Sequence, residues 1–254
     1  MRNIAEDVAE RSFFLPFFHI HRMILSISDN NEMEKKYALF DWDNTVRKGY
    51  TLYSWVDYLC EHQVLNLSIR ADLNRMGREY KGGLITHDEY AKRACELYSY
   101  ALKGVSSKKI DALADDYLKM DEQYVYNSIK KIFDLLNKKD VDIIIISGAP
   151  TIIIEKYQER FHFKQICAFK EEIRENQFTG EVQYNYGFDK EMQVLKFIDQ
   201  YDARPYMAFG DSESDIPLLK YAHYPFLVGK ENLNKCYEAI SFDDIFYKVE
   251  KILR

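Results

Sequence analysis

Asp41 and Asp43 stand one residue apart at the end of a short apolar run, Ala38-Leu-Phe-Asp41-Trp-Asp43-Asn-Thr45-Val46. Such a run predicts a buried strand. Side chains alternate along a strand, so both carboxylates are expected on one side, just where the strand ends. In an open parallel α/β sheet that C-terminal edge is where ligands sit. Two carboxylates held together repel unless a cation or a shared proton lies between them. A hard ion such as Mg²⁺, which prefers oxygen donors and works on phosphates, is the natural occupant. Alone, the stretch also fits an Asp-rich turn or a helix cap.

Three later segments narrow the choice. Val141-Asp-Ile-Ile-Ile-Ile146 is a second buried β-branched run, and it ends in Ser147-Gly148-Ala149-Pro150. A small hydroxyl, a glycine and a proline suited to the first helical position predict an anion-binding strand-to-helix turn. Met207-Ala-Phe-Gly210 predicts a third strand, ending in Asp211-Ser-Glu-Ser-Asp215. Between them Lys190 opens an amphipathic stretch with apolar residues at Val194, Leu195 and Ile198. Each piece alone has an ordinary reading: a loop serine, a surface lysine, an acidic turn. Their order and shared strand-end context point to one site.

The set resembles the haloacid dehalogenase superfamily of phosphohydrolases, all four of whose motifs find a match between Phe40 and Asp215. Within it the chain looks most like the phosphoserine-phosphatase-like branch, which inserts a helical cap between the first two motifs. The resemblance implies an α/β fold: a Rossmann-like parallel sheet with helices on both faces and an inserted small α-helical cap domain. It implies a Mg²⁺-dependent phosphatase that hydrolyses a small phosphomonoester metabolite through an aspartyl-phosphate. Asp41 would be the nucleophile and Asp43 the general acid/base. The Asp41 carboxylate, the Asp43 backbone carbonyl and Asp211 would hold Mg²⁺, with Asp215 an outer or water-mediated ligand. Thr45, Ser147 and the Gly148 N–H would bind phosphoryl oxygens, and Lys190 would neutralise their charge.

One position departs from the branch, and a second is its candidate match. Phosphoserine phosphatases read the substrate ammonium with a glutamate nine residues after the nucleophile, and here that place holds Tyr50. They read its carboxylate with a cap arginine, for which Arg93 is the candidate. Tyr50 and Arg93 are therefore the specificity residues to watch. Phosphoserine phosphatase proper remains one alternative. A non-catalytic scaffold of the same fold, bound to a partner through its N-terminal segment, is the other. Asp43 and Asp211 argue against the dehalogenase branch, which works without Mg²⁺.

The elements that must position these residues follow from the same pattern. Residues 37–49 and 120–254 read as the core, 50–119 as the helical cap, and 1–36 as an N-terminal helical extension. In the cap, Leu52, Trp55, Val56 and Leu59 mark one helical face, and Thr86-x-x-Glu89 is a capping box. Residues 171–184 read as an edge hairpin, 226–228 as a last parallel strand, and Ser241-x-x-Asp244 as the cap of a final helix. The 254 residues are 47% hydrophobic with a net charge of −6, which fits an ordinary globular chain and argues against a nucleic-acid binder. Four scattered cysteines without a C-x-x-C spacing read as reduced thiols of a cytoplasmic protein. The extension reads as neither a signal peptide nor a transmembrane segment. It is expected to pack on the core or on another subunit, with peripheral membrane contact the second reading.

Overall fold

The computed structural model describes residues 35–229 and 237–254. The expected N-terminal helices, residues 1–34 of the extension, and Cys236 lie outside them. Among the described residues a seven-stranded sheet has the order β4-β3-β2-β1-β5-β6-β7. The strands are β1 (Tyr37–Phe40), β2 (Asp142–Pro150), β3 (Phe163–Arg174), β4 (Gln177–Asn185), β5 (Met207–Gly210), β6 (Tyr224–Val228) and β7 (Ala239–Ile240). Every pairing is parallel except β3 with β4, the expected edge hairpin. Its turn residues Glu175 and Asn176 both have positive φ, the geometry that matches the twist of a two-residue hairpin.

Alternation along β1 builds two cores. Ala38 and Phe40 face one side with Ile143, Ile145 and Phe209. Helices α5 (Asn127–Lys138) and α10 (Ile245–Leu253) cover that side with Ile129, Ile132, Phe133, Ile245 and Val249. Tyr37 and Leu39 face the other side with Ile144, Ile146 and Ala208, under Val194 and Phe197 of α8 (Lys190–Tyr201) and Leu218 of α9 (Ile216–Tyr221). Rings of Phe40, Phe209 and Phe226 stack across three adjacent strands, with centroids 4.2 and 4.8 Å apart.

Between β1 and β2 lie α1 (Thr51–Glu61), α2 (Ser68–Lys81), α3 (His87–Ala101) and α4 (Ser107–Asp121). The capping box forms: the Thr86 side chain accepts from the Glu89 N–H while the Glu89 carboxylate accepts from the Thr86 N–H. Helix α2 had no place in the sequence reading, although Ile69, Leu73 and Met76 recur at helical spacing and are buried. The loop after α3 pairs with the edge hairpin, through Gly104 N–H to the Phe178 carbonyl and Phe178 N–H to the Val105 carbonyl. That pairing covers an otherwise open sheet edge.

Some local expectations need correction. Strand β2 continues to Pro150, which sits before the short α6 (Thr151–Ile154) rather than inside it. The residue before a helix needs extended ψ, and Pro150 supplies φ −60° and ψ 123°. Strand β6 is not the last, since β7 pairs beside it. Leu195 is 43% exposed, because the buried stripe of α8 runs through Lys190, Val194 and Phe197. No helix among the described residues is long and apolar enough to cross a membrane.

A buried ion pair ties the helices to the core at both crossings. Arg47, on the loop leading into α1, places its guanidinium 2.6 Å from Asp121 at the end of α4, and both side chains are almost fully buried. Ser54 accepts from Arg47, and the hydroxyls of Tyr117 and Tyr157 donate to Asp121. The two crossing strands also pair as backbone, Lys48 N–H to the Tyr124 carbonyl and Tyr126 N–H to the Val46 carbonyl. Removing one member of a buried pair leaves the other uncompensated, at about 3–5 kcal/mol. Asp121→Ala is therefore expected to destabilise the chain by that order in urea unfolding. The double variant Arg47→Met, Asp121→Leu should recover much of the loss, and equal losses would deny the coupling.

Candidate active site

The three strand ends expected to share a site do so. Phe40 is in register with Ile145 on β2 and with Phe209 on β5, so the residues after them emerge side by side at the C-terminal edge. Asp41 follows β1 directly and donates its N–H to the Phe209 carbonyl at 3.0 Å, which anchors it to β5. Asp41, Asp211 and Asp215 each offer an oxygen, all within 4.8 Å of one another.

Lys190 enters from the first turn of α8. Its ammonium lies 2.8 Å from Asp41 Oδ1 and 2.5 Å from Asp215 Oδ1, and it is itself buried. Burial opposes its charge, but the Asp215 and Asp41 carboxylates outweigh that and hold its pKa above the ordinary lysine value. Asp215 is fully buried and heavily engaged. Its Oδ2 accepts from the Asp211 N–H, the Ser212 N–H and the Ser212 hydroxyl at 3.0–3.1 Å. It thus fastens the loop that presents Asp211. Gly210 makes room for it: a Cβ there would collide with the Asp215 side chain.

Two of these carboxyls, Asp41 and Asp211, are held above their usual range. Burial, with the charges of Asp41 and Asp215, pushes Asp211 to about 8. Burial raises Asp41 too, against the pull of Lys190. A set of crowded, desolvated hard oxygens with one ammonium among several carboxylates fits a divalent cation, whose charge would hold them ionised.

Asp43 is placed differently from Asp41. Its carboxylate stands outside the three-oxygen cluster and accepts from the Thr51 N–H at 2.9 Å and the Thr51 hydroxyl at 2.5 Å. Burial drives its pKa to about 7, Thr51 resisting and the Asp41 charge assisting. The turn that follows Asp43 depends on Asn44, in the left-handed region at φ 61°, whose side chain accepts from the Gly49 N–H.

Thr45 is fully buried and directs its hydroxyl toward Asp211 Oδ1 at 3.4 Å. Ser147 is buried, and its hydroxyl accepts from the Ala149 N–H. Gly148 is exposed beside the loop Tyr186–Phe188 that precedes Lys190. Gly187 had no part in the sequence reading, yet a Cβ there would stand 2.5 Å from Gly148 Cα. Its lack of a side chain lets the lysine loop lie against the serine–glycine turn, with Asn185 accepting from the Gly187 N–H.

The specificity candidates separate. Tyr50 is 62% exposed, and burial of part of its ring, with the charges of Asp211 and Asp43, raises its pKa. Arg93, on α3, is half-exposed and lies 3.9 Å from Glu79 of α2, making no contact with the carboxylate cluster.

A model of the haloacid dehalogenase-like hydrolases matches residues 38–220. The chain belongs to the haloacid dehalogenase-like hydrolase family. Three solved structures share the fold of this haloacid dehalogenase-like chain. A Bordetella pertussis Tohama I protein of unknown function is 16% identical over 82% of this chain and 99% of its own, with a TM-score of 0.67. A phospho-aspartyl intermediate analogue of phosphoserine phosphatase is 16% identical over 77% and 87%, at 0.56. Cytosolic 5'-nucleotidase IIIB bound to cytidine is 13% identical over 87% and 86%, at 0.62. No curated protein sequence matches this chain.

Two outcomes test the site. A carboxyl whose folded pKa lies above its unfolded value holds a proton that the unfolded chain releases, so folding is favoured at low pH and loses that advantage as pH rises through the folded value. With Asp43 about 7 and Asp211 about 8, the chain in EDTA should lose stability between pH 6 and 8, on the order of 1 kcal/mol per pH unit. Mg²⁺ at pH 8 should raise Tm by binding the ionised cluster, and an unchanged Tm would count against a cation there. Separately, Gly187→Ala should keep the fold by circular dichroism but lower phosphatase turnover by about tenfold or more, because the lysine loop must back away from Gly148.

Proposed function

We propose that the chain is a Mg²⁺-dependent phosphatase acting on a small phosphomonoester through an aspartyl-phosphate. The observation that carries the reading is the Lys190 ammonium held between Asp41 and Asp215, with Asp211 in the same cluster. Asp41 is thereby fixed, desolvated and aimed at the strand-end opening.

Asp41 and Asp211 would hold the ion, joined by the Asp43 backbone carbonyl that the family resemblance implies. Asp215, already taken by four donors, would act by positioning. When bound, the ion supplies positive charge beside the nucleophile and the phosphoryl oxygens. Thr45, Ser147 and the Gly148 N–H bind those oxygens, and Lys190 adds the second positive charge. An Asp41 oxygen bonds to phosphorus as the ester P–O bond breaks, and its electron pair leaves with the ester oxygen. Asp43 protonates that oxygen. It then takes a proton from a water whose oxygen attacks phosphorus, and the bond to Asp41 breaks. A carboxyl near 7 is matched to both duties at neutral pH, and Thr51 holds it in place.

Helices α1–α4 act as the cap in this reading, hinged where Arg47 and Asp121 bind the two crossings. Phosphoserine is not the preferred substrate: Tyr50 offers its ammonium only a neutral hydroxyl, and Arg93 is occupied by Glu79.

Asp41→Asn should fold, yet lose nearly all turnover of p-nitrophenyl phosphate with Mg²⁺, because an amide is a poor nucleophile. Asp43→Asn should lose roughly 10²–10⁴-fold on an alkyl phosphate such as glycerol phosphate. Its loss on p-nitrophenyl phosphate should be smaller, since that leaving group needs less protonation. Retained activity in Asp41→Asn would remove the covalent route, and equal losses in Asp43→Asn would remove the acid role.

A further inference from the structure

Strand β4 meets the helical insertion at both of its ends. Near the hairpin turn the loop after α3 pairs with it as backbone, and the Ser107 N–H of α4 donates to the Asn176 carbonyl. At the other end the Asn185 side chain donates from Nδ2 to the Cys95 sulfur of α3 at 3.4 Å. Phe169 of β3 is in register with Pro150 of β2 on one side and with Asn185 on the other. Asn185 therefore stands level with the end of the serine–glycine turn.

The same side chain reaches the loop that delivers Lys190. Asn185 Oδ1 accepts from the Gly187 N–H at 2.9 Å and caps the turn Tyr186–Phe188. A backbone N–H can only donate, so the carbonyl end of the amide must face Gly187, which leaves its NH2 for Cys95. Burial pushes the Cys95 thiol up to about 12, so its sulfur is a neutral acceptor at pH 7. A Cβ on Gly148 would stand 3.9 Å from Asn185 Oδ1 and from Gly187 Cα, and one on Gly187 would stand 2.6 Å from the Gly148 nitrogen. One carboxamide and two glycines thus share a single close contact.

We propose that Asn185 is a positioning residue for phosphoryl binding: it holds Gly187 against the Gly148 amide and makes that placement depend on α3. It acts through the two glycines rather than on the phosphate itself. The bond to Gly187 fixes the loop, and the bond to Cys95 fixes the carboxamide that makes the first bond. A shift of α3 on the sheet therefore turns the acceptor away from Gly187 and loosens the turn that presents the Gly148 N–H. What Gly148 binds rests on the phosphatase reading; the coupling of α3 to the lysine loop does not.

Hydrogen exchange of the Gly187 N–H in the full chain without Mg²⁺ tests the coupling. Asn185→Ala should quicken that exchange by about tenfold, the worth of one ordinary hydrogen bond, and Cys95→Ala by about two- to threefold. With Asn185 already replaced, Cys95→Ala should add nothing, because its route to the loop is gone. An unchanged rate in Cys95→Ala, or the same increment in both backgrounds, overturns the link to α3. Calorimetric titration with inorganic phosphate in saturating Mg²⁺ reads the consequence. Asn185→Ala should weaken phosphate by about tenfold and leave Mg²⁺ affinity as in the parent, because it touches neither Asp41 nor Asp211. Asn185→Ser, whose hydroxyl still accepts from the residue two further on, should recover part of that loss. A role in stability alone would lower Tm and leave both affinities of the folded chain unchanged, and that result overturns the positioning role. A parent that binds no phosphate would instead overturn the phosphatase reading, while the exchange arm still decides whether α3 reaches the loop through Asn185.

Discussion

The ammonium of Lys190 between Asp41 and Asp215 is the interaction on which the site depends. Desolvated carboxylates crowded at one sheet edge repel one another, and a buried lysine alone would be as unfavourable as they are. Each is tolerable because the other is present. The pairing requires that β1 and β5 be neighbours, that α8 begin beside their ends, and that Gly210 leave space for Asp215. Electrostatics therefore constrains the topology: the strand order that centres β1 and β5 is the one that lets the charges meet.

A second constraint acts around it. The helical insertion leaves and returns through adjacent crossings, and the Arg47–Asp121 pair closes them with hydroxyls from Ser54, Tyr117 and Tyr157. The crossing adjoins the turn after Asp43, because Arg47 belongs to both. Thr51 extends the same logic, since it opens α1 while its N–H and hydroxyl hold the Asp43 carboxylate.

Short-range pattern carried much of this. Apolar runs ending in charged or small residues located β1, β2 and β5 and their C-terminal edge, because strand period and burial are local properties. The capping box at Thr86 and the Ser241–Asp244 turn were equally legible, since their hydrogen bonds close within a few residues. Local reading failed where packing chose between local options. Leu195 extends the apolar stripe of α8 in sequence, yet Lys190, Val194 and Phe197 take the buried face and Leu195 is 43% exposed. Pro150 suits either a helix start or the residue before it, and pairing with Phe169 on β3 keeps it in the strand.

The sequence by itself determined the residue types of the carboxylate cluster and the apolar runs that deliver them, and its motifs carried the resemblance to the family. Residue types and apolar runs are properties of short windows. Only the tertiary structure decided which distant groups meet: Arg47 with Asp121, Gly187 against Gly148, and Arg93 with Glu79. Each is a contact between residues from 14 to 74 positions apart, as the distance from Glu79 to Arg93 and from Arg47 to Asp121 shows. Nothing in a local window sets such a distance. Burial and chain topology set it, and with it the charge state of the groups concerned.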